Sequence, residues 1–94
     1  MLEKIKLACR YRTATFDEEI KMYIKSCKND LILGGVQETK IVDTDESIQT
    51  TVIAYCKWQL NFQGQGERWE KIYKNLKTSL ALDSRYNTCT QKSI

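Results

Sequence analysis

Four segments of the chain space their apolar residues three and four positions apart, as an amphipathic α-helix does. They run from about 2 to 10, 16 to 33, 45 to 62 and 67 to 80. The second segment has the clearest apolar stripe, which consists of Phe16, Ile20, Tyr23, Ile24, Cys27 and Leu31. The pattern predicts one short N-terminal helix followed by three longer helices.

The 45–62 segment differs from the others because it is apolar around most of its circumference. A helix that is hydrophobic on several sides is usually packed by several neighbours. We therefore expect this helix at the centre of a bundle, with Thr44 or Asp45 as its N-cap. Five aromatic residues at its junction with the last helix indicate an aromatic core, with a ligand pocket as the alternative: Tyr55, Trp58, Phe62, Trp69 and Tyr73.

Local signals support these helix boundaries. Thr15 and Glu18 have the spacing of a capping box at the start of the second helix. Gly34-Gly35 offers a residue that can adopt positive φ at its end. Acid-first pairs four residues apart are expected on helix surfaces: Asp17 with Lys21, Glu67 with Lys71, and Glu70 with Lys74.

The connections are more polar. Residues 36–43 read as a linker, with a short strand at Ile41-Val42 as an alternative, although one strand cannot make a sheet. Leu82 and Tyr86 follow the last helix and are placed to dock on the body of the domain or on a neighbour. Residues 87–94 have almost no apolar content, so we expect a flexible tail there. The prediction is an all-α fold, a small bundle of four helices over residues 1–86.

The composition fits one globular domain. The chain has 94 residues, 41% hydrophobic and 29% charged, with no proline and a formal net charge of +3. This charge permits contact with nucleic acid without indicating it, since dedicated binders usually concentrate basic residues on one face. No segment is typical of a secretion signal or long enough to span a membrane. We therefore expect a cytosolic protein with reduced cysteines.

Candidate catalytic chemistry is sparse. The chain has no histidine, which removes the commonest general base. Its four cysteines are widely spaced, so neither a metal nor a cofactor is expected, and Cys9, Cys27 and Cys56 read as small buried hydrophobes. Gly64-Gln65-Gly66 lacks the lysine and hydroxyl residue of a phosphate-binding loop. An enzyme is therefore the least favoured class.

The charge layout points to assembly instead. An acidic stretch at 38–46 is separate from basic stretches at 4–12 and 71–85. If these lie on opposite flanks of the domain, copies can join head to tail and close into a ring. The lysines at 21, 25, 28, 71, 74 and 77 read as solvated helix faces. The alternative is a small DNA-binding regulator, but residues 34–45 are too long for the tight turn of a helix-turn-helix.

Several motifs then follow one another in a distinctive order. They are RYRTATFDEEI (10–20), IKSCKNDL (24–31), GGV (34–36), DTDESI (43–48), VIAYCKW (52–58), WEKIYKNLKTSLAL (69–82) and YNT (86–88). This series resembles the head–tail connector (adaptor) proteins of long-tailed bacteriophages and prophages, often labelled DNA-packaging proteins. The resemblance covers residues 1–88.

The resemblance implies a non-enzymatic virion protein, present in the host cytoplasm before assembly. Its subunits would form a ring beneath the portal protein and continue the DNA channel without sequence-specific DNA binding. The same ring would dock the next connector or tail-completion protein. The resemblance allows the isolated chain to be a monomer that joins the ring only on assembly. No membrane contact is implied.

Three groups of residues are candidates for these contacts. The first, expected to face DNA or the portal, is Lys4, Lys6, Arg10 and Arg12. The second, expected at a subunit interface, is Glu38, Asp43, Asp45 and Glu46. The third, expected to order on docking, is Leu82, Arg85 and Tyr86.

Overall fold

The structure, a computed structural model, describes residues 1–87. It contains helices α1 (Leu2–Cys9), α2 (Asp17–Leu33), α3 (Glu46–Gln59) and α4 (Gly66–Leu82). Short 3₁₀ turns occur at Glu38–Lys40 and Phe62–Gly64. The predicted bundle of one short and three longer helices is confirmed, although α3 ends at Gln59 rather than Phe62. No helix within residues 1–87 is long and apolar enough to cross a membrane.

Helix α3 is the centre of the bundle and packs against α1, α2 and α4. Ile48, Val52 and Cys56 follow one another at intervals of four and are completely buried. Thr51, also buried, donates its hydroxyl to the Ser47 carbonyl at 2.8 Å, so its polar group is satisfied inside the core. The central position predicted for this helix is confirmed.

Helices α2 and α4 run in the same direction on either side of α3 and are joined by side chains. The Tyr73 hydroxyl donates to Asp30 Oδ2 at 2.6 Å, and Lys77 Nζ donates to the same oxygen at 3.0 Å. Cys27 Sγ lies 3.9 Å from the Tyr73 hydroxyl. One carboxylate of α2 therefore holds two residues of α4.

The expected aromatic core is present and divides into two clusters. Tyr55, Trp58 and Tyr73 pack with ring centroids 5.1 to 5.9 Å apart, within the range of favourable aromatic pairs. Phe62 and Trp69 form the second cluster with Lys57, whose ammonium lies 4.6 and 4.4 Å from their ring centroids.

The end of α2 has the geometry that the glycine pair predicted. Gly35 adopts φ 105°, the Val36 amide donates to the Leu31 carbonyl at 3.0 Å, and the Gly35 amide donates to Ile32 at 3.1 Å. This is a Schellman motif, in which the two residues after the helix satisfy its last carbonyls. Val36 then enters the core.

The start of α2 differs from the prediction. Phe16 is the N-cap and no side chain caps the helix, because the Thr15 hydroxyl bonds with that of Thr13 instead. The prediction of a capping box at the start of α2 is therefore wrong. Asp17 pairs with Lys6 of α1 at 2.9 Å rather than with Lys21, since α1 folds back against the first turn of α2.

The two predicted ion pairs of α4 have different outcomes. Glu70 and Lys74 pair at 2.7 Å, as expected. Glu67 and Lys71 form no ion pair with each other, although both lie in the described part of the chain.

The chain after α4 returns to the linker. Val36 and Asn87 form an antiparallel bridge, and the Gln37 amide donates to the Tyr86 carbonyl at 2.6 Å. Asn87, predicted as the first residue of the tail, is therefore joined to the linker by this bridge. The remainder of the predicted tail, 88–94, lies outside the described residues. In the linker, Glu38–Lys40 forms a 3₁₀ turn, and Ile41-Val42, the alternative strand, is not in a strand.

Candidate assembly surfaces

Three of the four basic candidates are free at the surface. Lys4, Arg10 and Arg12 are exposed. Arg10 ends α1 in the left-handed conformation, with φ 61° and its amide donating to the Leu7 carbonyl. Lys6 is different, because its ion pair with Asp17 leaves only 13% of its side chain exposed. Lys6 therefore joins α1 to α2 and is poorly placed to meet a partner.

The acidic candidates also include both side chains that are bonded within the chain and side chains that are free. Asp45 caps α3: its Oδ1 accepts from the Ser47 and Ile48 amides at 2.8 and 3.2 Å, and its Oδ2 accepts from the Tyr86 hydroxyl at 2.9 Å. Asp43 pairs with Lys28 of α2 at 2.8 Å. Glu38 and Glu46 are exposed, and neither has an ion pair within residues 1–87.

These bonds favour the ionised form of the two aspartates. Partial burial of Asp45 opposes ionisation, but the bonds from Tyr86 and the two amides outweigh it and hold the Asp45 pKa below its usual value. The hydrogen bond from Lys28 lowers the pKa of Asp43. Both carboxylates stabilise the fold, as expected for carboxylates whose charged form accepts hydrogen bonds.

The segment after α4 is held by contacts with the rest of the same chain. Tyr86 is only 9% exposed, and Arg85 pairs with Asp83 at 2.8 Å while lying 5.7 Å from the Tyr86 ring centroid. Tyr86, expected to order on docking, contacts Asp45 and the linker of its own chain. Leu82 points outward with 78% exposure.

A groove that the sequence analysis missed runs along α2, beside the turn at 38–41. We call it the lysine groove. Its polar wall is Lys21, Lys25 and Lys28, and its apolar lining is Ile24, Ile32 and Ile41. Glu38, one of the interface candidates, lies at its rim. The lysine spacing was visible in the sequence, but the contribution of Ile41 and Glu38 depends on how the linker folds back.

A sequence model of the phage connector protein family matches residues 1–87. The chain belongs to the phage connector protein family. No curated protein and no solved structure matches it. The connector family is structural, so the chain is a structural component of the phage particle that associates with portal or tail proteins. The resemblance identified from the motif order is confirmed.

The buried cysteines of this connector have thiols with raised pKa values. Burial raises the pKa of the Cys27 thiol to about 12 and also raises the pKa values of Cys9 and Cys56. A buried, protonated thiol is a poor nucleophile and a poor metal ligand. Within residues 1–87, no three histidine, cysteine or acidic side chains are placed to hold a metal ion. The three thiols pack as small hydrophobes, as predicted.

Proposed function

We propose that this connector forms a ring beneath the portal, joins the head to the tail and continues the DNA channel after packaging. The observation that carries the proposal is the family match, which spans the same residues as the described fold, 1–87. A protein that acts by stacking against other rings needs surfaces rather than an active site.

The distribution of free charges supports a contact between copies. Arg10 follows α1, and the Lys6–Asp17 ion pair holds α1 beside the first turn of α2. Glu46 begins α3 at the other end. Since α3 has 14 residues, about 20 Å of helix separates the two ends. A contact that joins unlike ends is heterologous, and such contacts close into rings when the rotation allows.

The mild net charge and the pairing of some lysines support a channel that does not grip DNA. Lys6, Lys28 and Lys77 are each held by an aspartate, and the whole chain has a net charge of only +3. Every phosphate that a protein neutralises adds salt-dependent affinity. A ring built from such subunits would let DNA slide through.

The test is to mix the purified connector with the portal ring of the same phage and measure the mass of the complex by light scattering. We expect a stable complex with several connector copies per portal ring. Exchanging charge at the proposed contact, with Arg10→Glu or Glu46→Lys, should reduce the number of copies bound. Arg68→Glu, on the exposed surface of α4 and outside the charged stretches, is the matched control and should bind normally.

Two results would contradict the proposal. One is a connector that stays monomeric at every concentration and does not associate with the portal. The other is sequence-selective binding to duplex DNA at physiological salt in a gel-shift series, which would favour the regulatory alternative.

A further inference from the structure

We propose that a pocket between α3 and α4 receives the Arg10 side chain of a second copy of the chain. We call it the hydroxyl pocket, and its lining includes Glu46, Ser47 and Thr50 of α3 and Leu76, Ser79 and Leu80 of α4. The inference deepens the contact between copies in the proposed function and rests on it, because it names the site that one copy offers to the next.

The charge of the hydroxyl pocket is negative. Arg85 and Asp83 also line it and neutralise each other, since the guanidinium donates to both carboxylate oxygens at 3.1 and 2.8 Å. Glu46 is exposed and has no ion pair within residues 1–87. Asp45 lies beside the pocket, because it accepts from Tyr86 of the lining, and no cation pairs with it in the described part of the chain. Three carboxylates therefore face one arginine, which favours a positively charged occupant.

The rest of the lining favours a guanidinium over a simple cation. The exposed hydroxyls of Ser47, Thr50 and Ser79 lie in the same pocket as the Glu46 carboxylate, and a guanidinium has five N–H donors to share among such oxygens. Leu76 supplies an apolar wall, against which the methylene stem of an arginine can pack. The volume of the pocket, about 360 Å³, accommodates a side chain of this size.

The end of α1 presents an arginine with matching surroundings. The Arg10 backbone is fixed, since it has φ 61° and its amide donates to carbonyls of the helix that it ends. Its side chain is exposed and has no ion pair within residues 1–87. Leu7, one turn earlier, exposes 78% of its surface. A leucine beside a positive charge at this end corresponds to Leu76 beside Glu46 in the pocket.

Arg10 cannot occupy the hydroxyl pocket of its own chain. The neighbouring Tyr11 ring stacks on Phe16, the N-cap of α2, with centroids 5.1 Å apart, which places Arg10 at the start of α2. The pocket lies near the end of α2, because the carbonyl of Tyr86 in its lining accepts from the Gln37 amide. The 17 residues of α2 span about 25 Å, which is farther than one side chain reaches. The two surfaces can therefore meet only between copies, in a head-to-tail contact.

The test is sedimentation equilibrium of the full chain, without the portal, over a concentration series up to millimolar. Three variants are compared with the wild type. Arg10→Ala removes the guanidinium, Glu46→Gln removes the charge of the pocket while keeping its shape, and Ser79→Trp fills the pocket without changing charge. Circular dichroism checks that each variant keeps its helices.

We expect the wild type to self-associate reversibly. Arg10→Ala and Glu46→Gln should each weaken the association by about tenfold, and Ser79→Trp should abolish it. Two matched controls should associate like the wild type. Arg68→Ala removes an exposed arginine of α4, and Thr78→Trp adds the same bulk at an exposed position of α4 that does not line the pocket.

Mixing two variants tests the direction of the contact. Arg10→Ala keeps an intact pocket and Ser79→Trp keeps an intact Arg10, so a 1:1 mixture can make one full-strength contact per pair but cannot extend beyond it. We expect dimers in the mixture at a concentration where each variant alone is a monomer. A symmetric contact, in which both copies use the same surface, would not be restored in this way.

Three outcomes would overturn the proposal. They are a wild type that stays monomeric at millimolar concentration, a Ser79→Trp variant that associates like the wild type, and a mixture without dimers. A connector that gives any of these results but binds the portal in several copies retains the proposed function and loses this contact. One that self-associates as expected without binding the portal does the reverse.

Discussion

Helices α2 and α4 have the same length, 17 residues each, and flank α3 in the same direction, but they use their surfaces differently. The outer face of α4 is polar, with the Glu70–Lys74 ion pair on it, and its large exposed apolar residue, Leu82, comes at its last position. The outer face of α2 exposes Met22, Ile32 and Leu33 along its length.

The two helices differ in how much of their apolar surface contributes to the stability of the fold. Apolar residues that a helix directs inward stabilise the fold, and those that it keeps outward do not. In α4 nearly all of the apolar stripe packs against α3. In α2 one face is part of the core, through Ile20, Cys27 and Leu31, and the other is exposed. Variants of buried residues, compared with variants of the exposed face of α2, test this difference.

The largest expected effect comes from Tyr73, the buried aromatic residue of α4. Tyr73→Ala removes a side chain that is 1% exposed and leaves a cavity between the helices, so we expect the free energy of unfolding to fall by about 3–5 kcal/mol. Tyr73→Phe removes only the hydroxyl, with its bonds to Asp30 and Cys27, and should cost about 1 kcal/mol. Urea denaturation measures both. Equal losses for the two variants would show that the ring contributes nothing beyond its hydroxyl.

The next effect tests the link between the two helices. Asp30→Ala removes the acceptor shared by Tyr73 and Lys77 and leaves the buried Tyr73 hydroxyl without its partner. We expect a loss of about 2 kcal/mol. Lys77→Met removes only the partly exposed ion pair and should cost less than about 1 kcal/mol. A larger loss for Lys77→Met than for Asp30→Ala in the same urea experiment would contradict this order.

Asp30 also leads us to predict how the stability of the fold depends on pH. Partial burial raises the Asp30 pKa, but the bonds from Tyr73 and Lys77 outweigh it, so the folded-state pKa is lowered. Its contribution to stability is then fully present above the unfolded-state pKa of about 3.9 and is lost as the pH falls through the lower folded-state value. Thermal melts below pH 4 should therefore show a shallower decline for Asp30→Ala than for the wild type. Parallel declines would show that Asp30 does not titrate as proposed.

The smallest effects are expected on the outer face of α2. Met22→Ser and Leu33→Ser replace side chains that are more than half exposed, so each should change the free energy of unfolding by no more than about 0.5 kcal/mol. Leu80→Ala in α4, where the side chain is 6% exposed, is the contrasting variant and should cost about 2–4 kcal/mol. A loss above 1 kcal/mol for either serine variant would mean that this face of α2 already contributes to the fold.

The sequence predicts those features of this fold that depend on residues close together in the chain. The four helices, the central position of α3 and the turn at Gly34-Gly35 all follow from local spacing. The contacts that sequence analysis missed join distant residues: Tyr73 with Asp30 across 43 positions, and Tyr86 with Asp45 across 41. A periodic pattern identifies which face of a helix is buried, but it does not identify which partner meets it.

The candidate surfaces were predictable to a lesser degree for the same reason. Charge alone did not distinguish Lys6, which is held by Asp17, from Lys4, which is free. It did not distinguish Asp45, the N-cap of α3, from its exposed neighbour Glu46. The lysine groove forms because the linker brings Ile41 and Glu38 beside α2. The spacing of residues within α2 does not predict where the linker folds.

The bridge between Val36 and Asn87 also has a mechanical consequence. Since Gln37 bonds to Tyr86 and Val36 pairs with Asn87, the end of α2 and the segment after α4 are joined directly. A pull on the chain beyond residue 87 therefore loads this bridge and the Tyr86–Asp45 hydrogen bond before it reaches α4. The bridge therefore shields the aromatic core from tension applied at that end of the chain.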